Sequence, residues 1–271
     1  MEDLKEVQHA VLGIMKDIDK VCTENHIKYW LYAGTLIGAV RHNGFIPWDD
    51  DLDVAMLRED YERFLKVAPQ CLGKRYFIQT WESDPGFALP LAKVRKNGTT
   101  YLESGSQYSN CHHGLFVDIF VYDNLPEGSL NFSLTKIFMQ LIFRINLIKG
   151  NNTPWIVGHE TDRKKWLKYL PFRALACLAP RRMTRKFYRY LQVKENGHKT
   201  HMVFDTCEPA LIGKAMDANL FDHVVRHPFE DSSFYIPERY DELLRANYGD
   251  YMQLPPPEER QGHHGIIEVK L

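Results

Sequence analysis

The sequence predicts a mixed fold of α/β or α+β class, one domain carrying an elaborate appendage, and three observations predict it. The chain has 271 residues, long for one ordinary domain and short for two. Its first half alternates helix-period with strand-period segments. Past Pro126-Glu127-Gly128 the pattern changes to long helical stretches, near 130–149 and 161–194, rich in aromatics and arginine.

Each element has its own signal. Leu4, Val7, Val11, Ile14, Ile18 and Val21 recur at spacings of three and four, the buried face of a helix over 4–22. Ile27 to Ala33 is rich in aromatic and β-forming residues and runs into Gly34-Thr35 and the helix-compatible LIGAV: strand, tight turn, helix start. In DLDVAM, residues 51–56, Leu52, Val54 and Met56 alternate with acidic or small residues, the period of a half-buried strand. A helix carrying Tyr61, Phe64 and Leu65 follows. Short strands are expected at 75–80, 88–95, 99–103 and 114–121, separated by Gly, Pro, Asn and Ser. A helix at 237–246 precedes LPPPEERQGHHG, where consecutive prolines preclude regular helix.

Composition narrows the function classes. Lys and Arg total 34 against 35 Asp and Glu, a formal charge of −1, which removes a bulk electrostatic case for nucleic-acid binding. The five cysteines are odd in number and lack a C-x-x-C pair, so neither a disulfide framework nor a simple zinc site is indicated. MEDLKEVQHA is acidic and polar where a signal peptide is basic and then apolar, and no run approaches the roughly 18 apolar residues of a membrane span. A cytoplasmic protein is expected.

The sharpest feature lies in residues 30–56. Asp49, Asp51 and Asp53 differ by two, so on an extended chain their carboxylates form a wall on one side. Carboxylates this close repel one another, and a divalent cation offsets that cost. Mg²⁺, or Mn²⁺ in its place, is the expected ion, shared with substrate phosphates. A solvated acidic loop is the competing reading, disfavoured by apolar residues threaded through it at strand period. An EF-hand loop is disfavoured because Val54 stands where its sharp turn needs glycine. Gly34-Thr35 at a helix start offers free N–H groups to a phosphate. Asp118, within the most hydrophobic strand, is expected as a third carboxylate, since a buried Asp needs a partner.

The run Trp30 to Met56, KVRKNGT at 93–99, GLFVDIF at 114–120 and YGDYMQLPPPEERQGHH at 248–264 resemble the LicD family. These are phosphocholine transferases of bacterial surface polysaccharides, related to fukutin-type phosphotransferases; residues 130–235 match loosely. The resemblance implies an α+β nucleotidyltransferase fold of the DNA polymerase β type with a mixed sheet. Its parts would be a catalytic core at 1–126, a helical basic and aromatic region at 127–235, and a segment at 236–271 returning to the active site. The family's hydrophobic-Gly-Gly/Ser signature stands here as Ala33-Gly34-Thr35. By motif, Asp51 and Asp53 resemble the catalytic metal pair, Asp49 a flanking ligand and Asp118 the third strand carboxylate.

The implied reaction moves phosphocholine from CDP-choline to a sugar hydroxyl of a teichoic acid or lipopolysaccharide precursor. Two Mg²⁺ ions about 3.5–4 Å apart would bridge diphosphate and hydroxyl. Asp118 is also the candidate base. Lys93, Arg95 and Arg41 would supply positive charge to the diphosphate. Trp30, Trp48, Trp81 and Tyr101 are candidates for an aromatic site for the quaternary ammonium. His263 and His264 match a family motif and would help close the site, a better reading than zinc for the doublets His112-His113 and His263-His264, whose neighbours point opposite ways. The alternatives are another CDP-activated group, ribitol phosphate or glycerol phosphate, or a nucleotide-binding module without catalysis. Residues 163–189 hold ten Lys or Arg and no acid among aromatics. They suit either peripheral contact with the inner face of the plasma membrane, where a lipid-linked glycan acceptor resides, or a solvated helix with aromatics turned inward.

Overall fold

The computed structural model describes residues 4–126, 128–157, 160–198, 200–208, 215–260 and 265–271. In chain order the elements are α1 (Leu4–Glu24), β1 (Trp30–Leu31), α2 (Ala33–His42), β2 (Asp53–Leu57), α3 (Arg58–Leu72), β3 (Tyr76–Gln79), β4 (Ala92–Lys96), β5 (Thr100–Glu103) and β6 (Phe116–Asn124). They continue with α4 (Ser129–Lys149), β7 (Ile156–Val157), β8 (Glu160–Thr161), α5 (Arg163–Leu178), α6 (Arg181–Val193), β9 (Met202–Asp205) and β10 (Met216–Asp217). The last are β11 (Val224–Phe229), β12 (Ser232–Pro237), α7 (Tyr240–Tyr248) and β13 (Ile266–Lys270). The class is α+β, built on a mixed sheet.

The central sheet runs β1-β2-β6-β4-β3, with β9 on the last residues of β6 and β10 on β9. The pair β2 and β6 is parallel and the other pairs are antiparallel. Strand β6 is buried along FVDIFVYD because neighbours flank it on both edges and helices cover it. Val7, Val11, Ile14, Ile18 and Val21 of α1 join that core, as their spacing predicts.

Several expectations shift for physical reasons. The strand expected over 27–33 shrinks to Trp30–Leu31, because α2 already begins at Ala33, whose left-handed φ of 46° makes the turn. The strand expected over 88–95 starts at Ala92, after Pro90, which has no N–H to give a ladder. The long helical stretch over 161–194 splits at Ala179-Pro180 into α5 and α6.

The region 127–235 also carries strands where helix was expected. MVFD of β9 extends the central sheet, and β11 and β12 form a hairpin. That hairpin turns on Glu230-Asp231, without the glycine that marks such turns in sequence. Glu230 holds φ at 53°, fixed by its N–H on the Asn43 carbonyl at 2.7 Å and by its carboxylate on the Phe45 N–H at 3.1 Å.

Candidate active site

The register of two strands creates the site. Asp53 of β2 and Asp118 of β6 are direct partners in the parallel ladder, and the Asp118 N–H donates to the Leu52 carbonyl at 3.1 Å. Register partners on adjacent parallel strands present their side chains on the same face. Both peptide groups of Asp53 are tied to the β1–α2 turn: its N–H donates to Thr35 Oγ1 at 2.9 Å, and its carbonyl accepts from the Tyr32 N–H at 3.0 Å. Thr35 is buried there, so its hydroxyl sets the first residue of β2.

The acids before β2 sit in a loop, which corrects the picture of one extended wall: β2 begins only at Asp53. A carboxylate oxygen from each of Asp49, Asp50 and Asp51 lies within 4.8 Å of the other two, the three-residue cluster suited to a metal among the described residues. Alternation on a strand would have turned Asp50 away, so sequence reasoning missed it. Asp50 is buried and accepts from the Tyr101 hydroxyl at 2.6 Å. The Asp49 carbonyl accepts from Gln8 Nε2 at 2.8 Å. Gly34 faces this loop: a Cβ on it would stand 3.0 Å from Asp49 Oδ2, so glycine lets the carboxylate close on the turn. The first-turn N–H groups of α2 at Gly34 and Thr35 have no acceptor within the helix, which suits an anion.

Electrostatics join the two groups of acids. Burial pushes Asp53 well above the ordinary carboxylate range, and Asp51, Asp118 and Asp49 push it further while Lys93 opposes. Burial also raises Asp118, against the charge and hydrogen bond of Lys93. Lys93 Nζ lies 2.9 Å from both oxygens of Asp118 and donates to Oδ2. Buried Oδ1 is left without a hydrogen bond among the described residues. A buried carboxylate oxygen in ion-pair contact with Lys93 but in no hydrogen bond among the described residues, a neighbouring Asp destabilised as an anion, and three further carboxylates on one loop are hard-oxygen donors of the kind that divalent cations such as Mg²⁺ take.

The cations divide. Lys93 touches Asp118, packs 3.4 Å from the centre of the Phe116 ring, and lines a cavity of about 320 Å³ with Glu103, Ser104, Ser106, Asn152 and Ile156. Glu103 and Asn152 had no sequence signal, since they come from separate elements that only the tertiary fold joins. Arg95 shares the face of Lys93, as strand spacing predicts, but not the expected role. Its guanidinium is buried and donates to Gln79 Oε1 at 2.6 Å and to the Gly114 carbonyl at 2.7 Å, because a buried cation needs its donors satisfied. Arg41 lies in the last turn of α2, opposite the end that carries Gly34, and donates to the Tyr251 carbonyl at 3.1 Å beside Arg260. It ties down the C-terminal segment instead of reaching the acids.

The aromatic candidates are mostly core. Trp30 stacks on Phe221 at 4.4 Å, Trp81 donates to the Ala88 carbonyl at 3.1 Å, and Tyr101 is held on Asp50; all three are buried. Trp48, half-buried beside Asp49, already carries the Arg260 guanidinium 5.7 Å from its ring centre. His112 stacks on Phe77 and accepts from the Gly114 N–H through Nδ1, while His113 meets the Ser109 carbonyl. His263 and His264 lie outside the described residues.

Comparison with known proteins follows the same geometry. Residues 26–128, which span β1 to β6 and every acid above, match the family model described as LicD/FKTN/FKRP, nucleotidyltransferase domain. The chain is 30% identical over 275 aligned positions to the lipopolysaccharide cholinephosphotransferase LicD of Haemophilus influenzae, covering 96% of each chain. A shorter stretch of 61 residues is 53% identical to an uncharacterized protein of Rickettsia typhi, covering 22% of this chain and 20% of that one. Another of 57 residues is 37% identical to the ribitol 5-phosphate transferase FKRP of Homo sapiens, covering 21% of this chain and 10% of that one. With its acids set on adjoining parallel strands and a relative alike from end to end, the chain belongs to the LicD family.

Proposed function

We propose that this protein transfers phosphocholine from CDP-choline to a sugar hydroxyl of a cell-surface glycan precursor, of the teichoic acid or lipopolysaccharide kind, with Mg²⁺. The observation that carries the proposal is the pairing of Asp53 with Asp118 beside the Asp49–Asp51 cluster. End-to-end similarity to a lipopolysaccharide cholinephosphotransferase supports phosphocholine as the group transferred. The core is read as a nucleotidyltransferase of the DNA polymerase β type, which the matched domain description supports.

Asp53, Asp118, Asp51 and Asp49 would hold Mg²⁺, with Asp50 adjacent. The ion would lower the pKa of the attacking hydroxyl and neutralise charge on the departing nucleotide. The protein's own groups do the rest. The first-turn amides of α2 receive a phosphate, and Thr35 keeps Asp53 in register. Lys93, between Asp118 and the cavity, brings a positive charge to the phosphoryl oxygens. Asp118, its proton affinity raised by burial, accepts the hydroxyl proton as the new O–P bond forms in line and the P–O bond to CMP breaks.

The second reading keeps this core and changes the donor to CDP-ribitol or CDP-glycerol, favoured by the stretch shared with a ribitol 5-phosphate transferase. CMP release from the three donors, with and without Mg²⁺, separates the readings. Metal-dependent release from CDP-choline supports the first, and preference for CDP-ribitol or CDP-glycerol supports the second. No release from any donor overturns both and leaves a binding module.

A further inference from the structure

Helix α4 packs against both α5 and α6, and all three turn apolar side chains to solvent. Leu134 and Phe138 of α4 are exposed one turn apart, as are Met183 and Phe187 of α6, and the Phe138 and Phe187 rings meet edge to face at 6.4 Å. Leu167 and Leu178 of α5 lie three turns apart on one face, and Leu178 is 81% exposed. Elsewhere on α5 the aromatics turn inward: Tyr169 packs on Trp155 at 5.3 Å and Phe172 lies under Arg144.

Beside each apolar row on α5 and α6 runs a basic one. Lys164 and Lys168 flank Leu167, and Arg182 and Lys186 each precede an exposed apolar residue of α6 by one position; all four are exposed. No acid occurs from 163 to 189. Apolar rows edged by cations are the pattern of a helix lying in the headgroup layer of an anionic membrane. No helix among the described residues is long and apolar enough to cross one. A second copy of the chain is a poor occupant, because pairing this face with itself would set like charges together.

We infer that the α4–α5–α6 face docks on an anionic lipid bilayer. The layer is fastened to the catalytic core: Arg181 donates to the Pro85 carbonyl at 2.6 Å, and Arg185 to the carbonyls of Trp81 and Phe87 at 3.0 and 2.5 Å. The connection from α4 to α5 supplies Asn152, Pro154 and Ile156 to the cavity beside Lys93. Docking therefore sets the orientation of that cavity towards an acceptor anchored in the same membrane. The inference holds for any donor.

Co-sedimentation of the full chain with vesicles of phosphatidylcholine, alone or with about one third phosphatidylglycerol, tests it. Binding is expected on the anionic vesicles only, falling as salt rises. The pairs Met183→Ser with Phe187→Ser, and Arg182→Glu with Lys186→Glu, should each weaken it by about tenfold or more. Leu134→Ser on α4 provides an independent surface change should either pair fail to fold. CMP release into a soluble acceptor should stay at the wild-type rate in these variants. Absence of wild-type binding, or undiminished binding after charge reversal, overturns the inference. So does a stable dimer in analytical ultracentrifugation that the Met183 and Phe187 pair disperses. None of these results alters the donor assignment, which CMP release decides separately.

Discussion

The main-chain N–H of Asp53 donates to Thr35 Oγ1 at 2.9 Å, so the residue that opens β2 is positioned by the turn that opens α2. One hydroxyl thereby couples the phosphate-facing turn to the metal-facing strand. Thr35→Val removes the acceptor and leaves the Asp53 N–H unsatisfied, at a cost of about 1–3 kcal/mol. Thermal unfolding should show that loss, CMP release should fall, and Thr35→Ser should restore both.

Asp53→Asn and Asp118→Asn remove charge from a site whose burial already disfavours the anion. Asp53→Asn should fold at least as stably as the parent, whereas Asp118→Asn leaves the buried Lys93 ammonium without its counter-charge and should lose stability. Both should lose activity, Asp118→Asn by roughly a hundredfold to ten-thousandfold if it accepts the proton. Single-turnover assays beside urea titrations separate activity from stability; a destabilised Asp53→Asn, or full activity in either variant, would contradict the assignment.

Gly34→Ala would set a methyl 3.0 Å from Asp49 Oδ2 and force the carboxylate to move by a few tenths of an ångström. Misplacement of about 1 Å in a positioned group can cost about a hundredfold. A lower kcat with an unchanged unfolding midpoint is the expected result.

Asp123, the last buried residue of β6, holds Arg58 in a two-pronged buried pair at 2.7 and 2.6 Å and also accepts from Asn196 and Thr206. Asp123→Ala strands the guanidinium and should cost about 3–5 kcal/mol. The double change Arg58→Met with Asp123→Leu should recover much of that in a denaturant titration, because no charge is then left buried.

Burial pushes Asp205 up to about 7, against hydrogen bonds from the Cys207 N–H and the Tyr32 hydroxyl. Its folded pKa exceeds its unfolded one, so the folded state holds the proton more tightly. The stabilisation is full below the ordinary carboxylate range and is lost as pH rises through about 7. Asp205→Asn should flatten the fall in unfolding midpoint between about pH 4 and about pH 7.

The parts of the fold written in local periodicity were legible. The α1 face and the hydrophobic run of β6 stand where their patterns place them, and Asp118 is the register partner of Asp53. Strand β2, read as half-buried over 51–56, begins at Asp53 and is buried on both faces from Val54 to Met56 because it pairs with strands on both edges. What escaped depends on tertiary contacts. The β11–β12 turn uses Glu230, held left-handed by Asn43 and Phe45 in place of glycine. Asp50 entered the acid cluster because the chain before β2 loops instead of extending. Arg95 and Arg41 read as phosphate ligands by charge alone, yet each is used on main-chain carbonyls, which composition does not reveal.

Binding of Mn²⁺, followed by electron paramagnetic resonance in the wild type and in Asp53→Asn and Asp118→Asn, tests the central claim most directly, because it reads the ion without turnover. Saturable binding in the wild type, displaced by Mg²⁺ and weakened at least tenfold in either variant, is the expected result. Wild-type affinity in both variants would show that β2 and β6 do not share a metal.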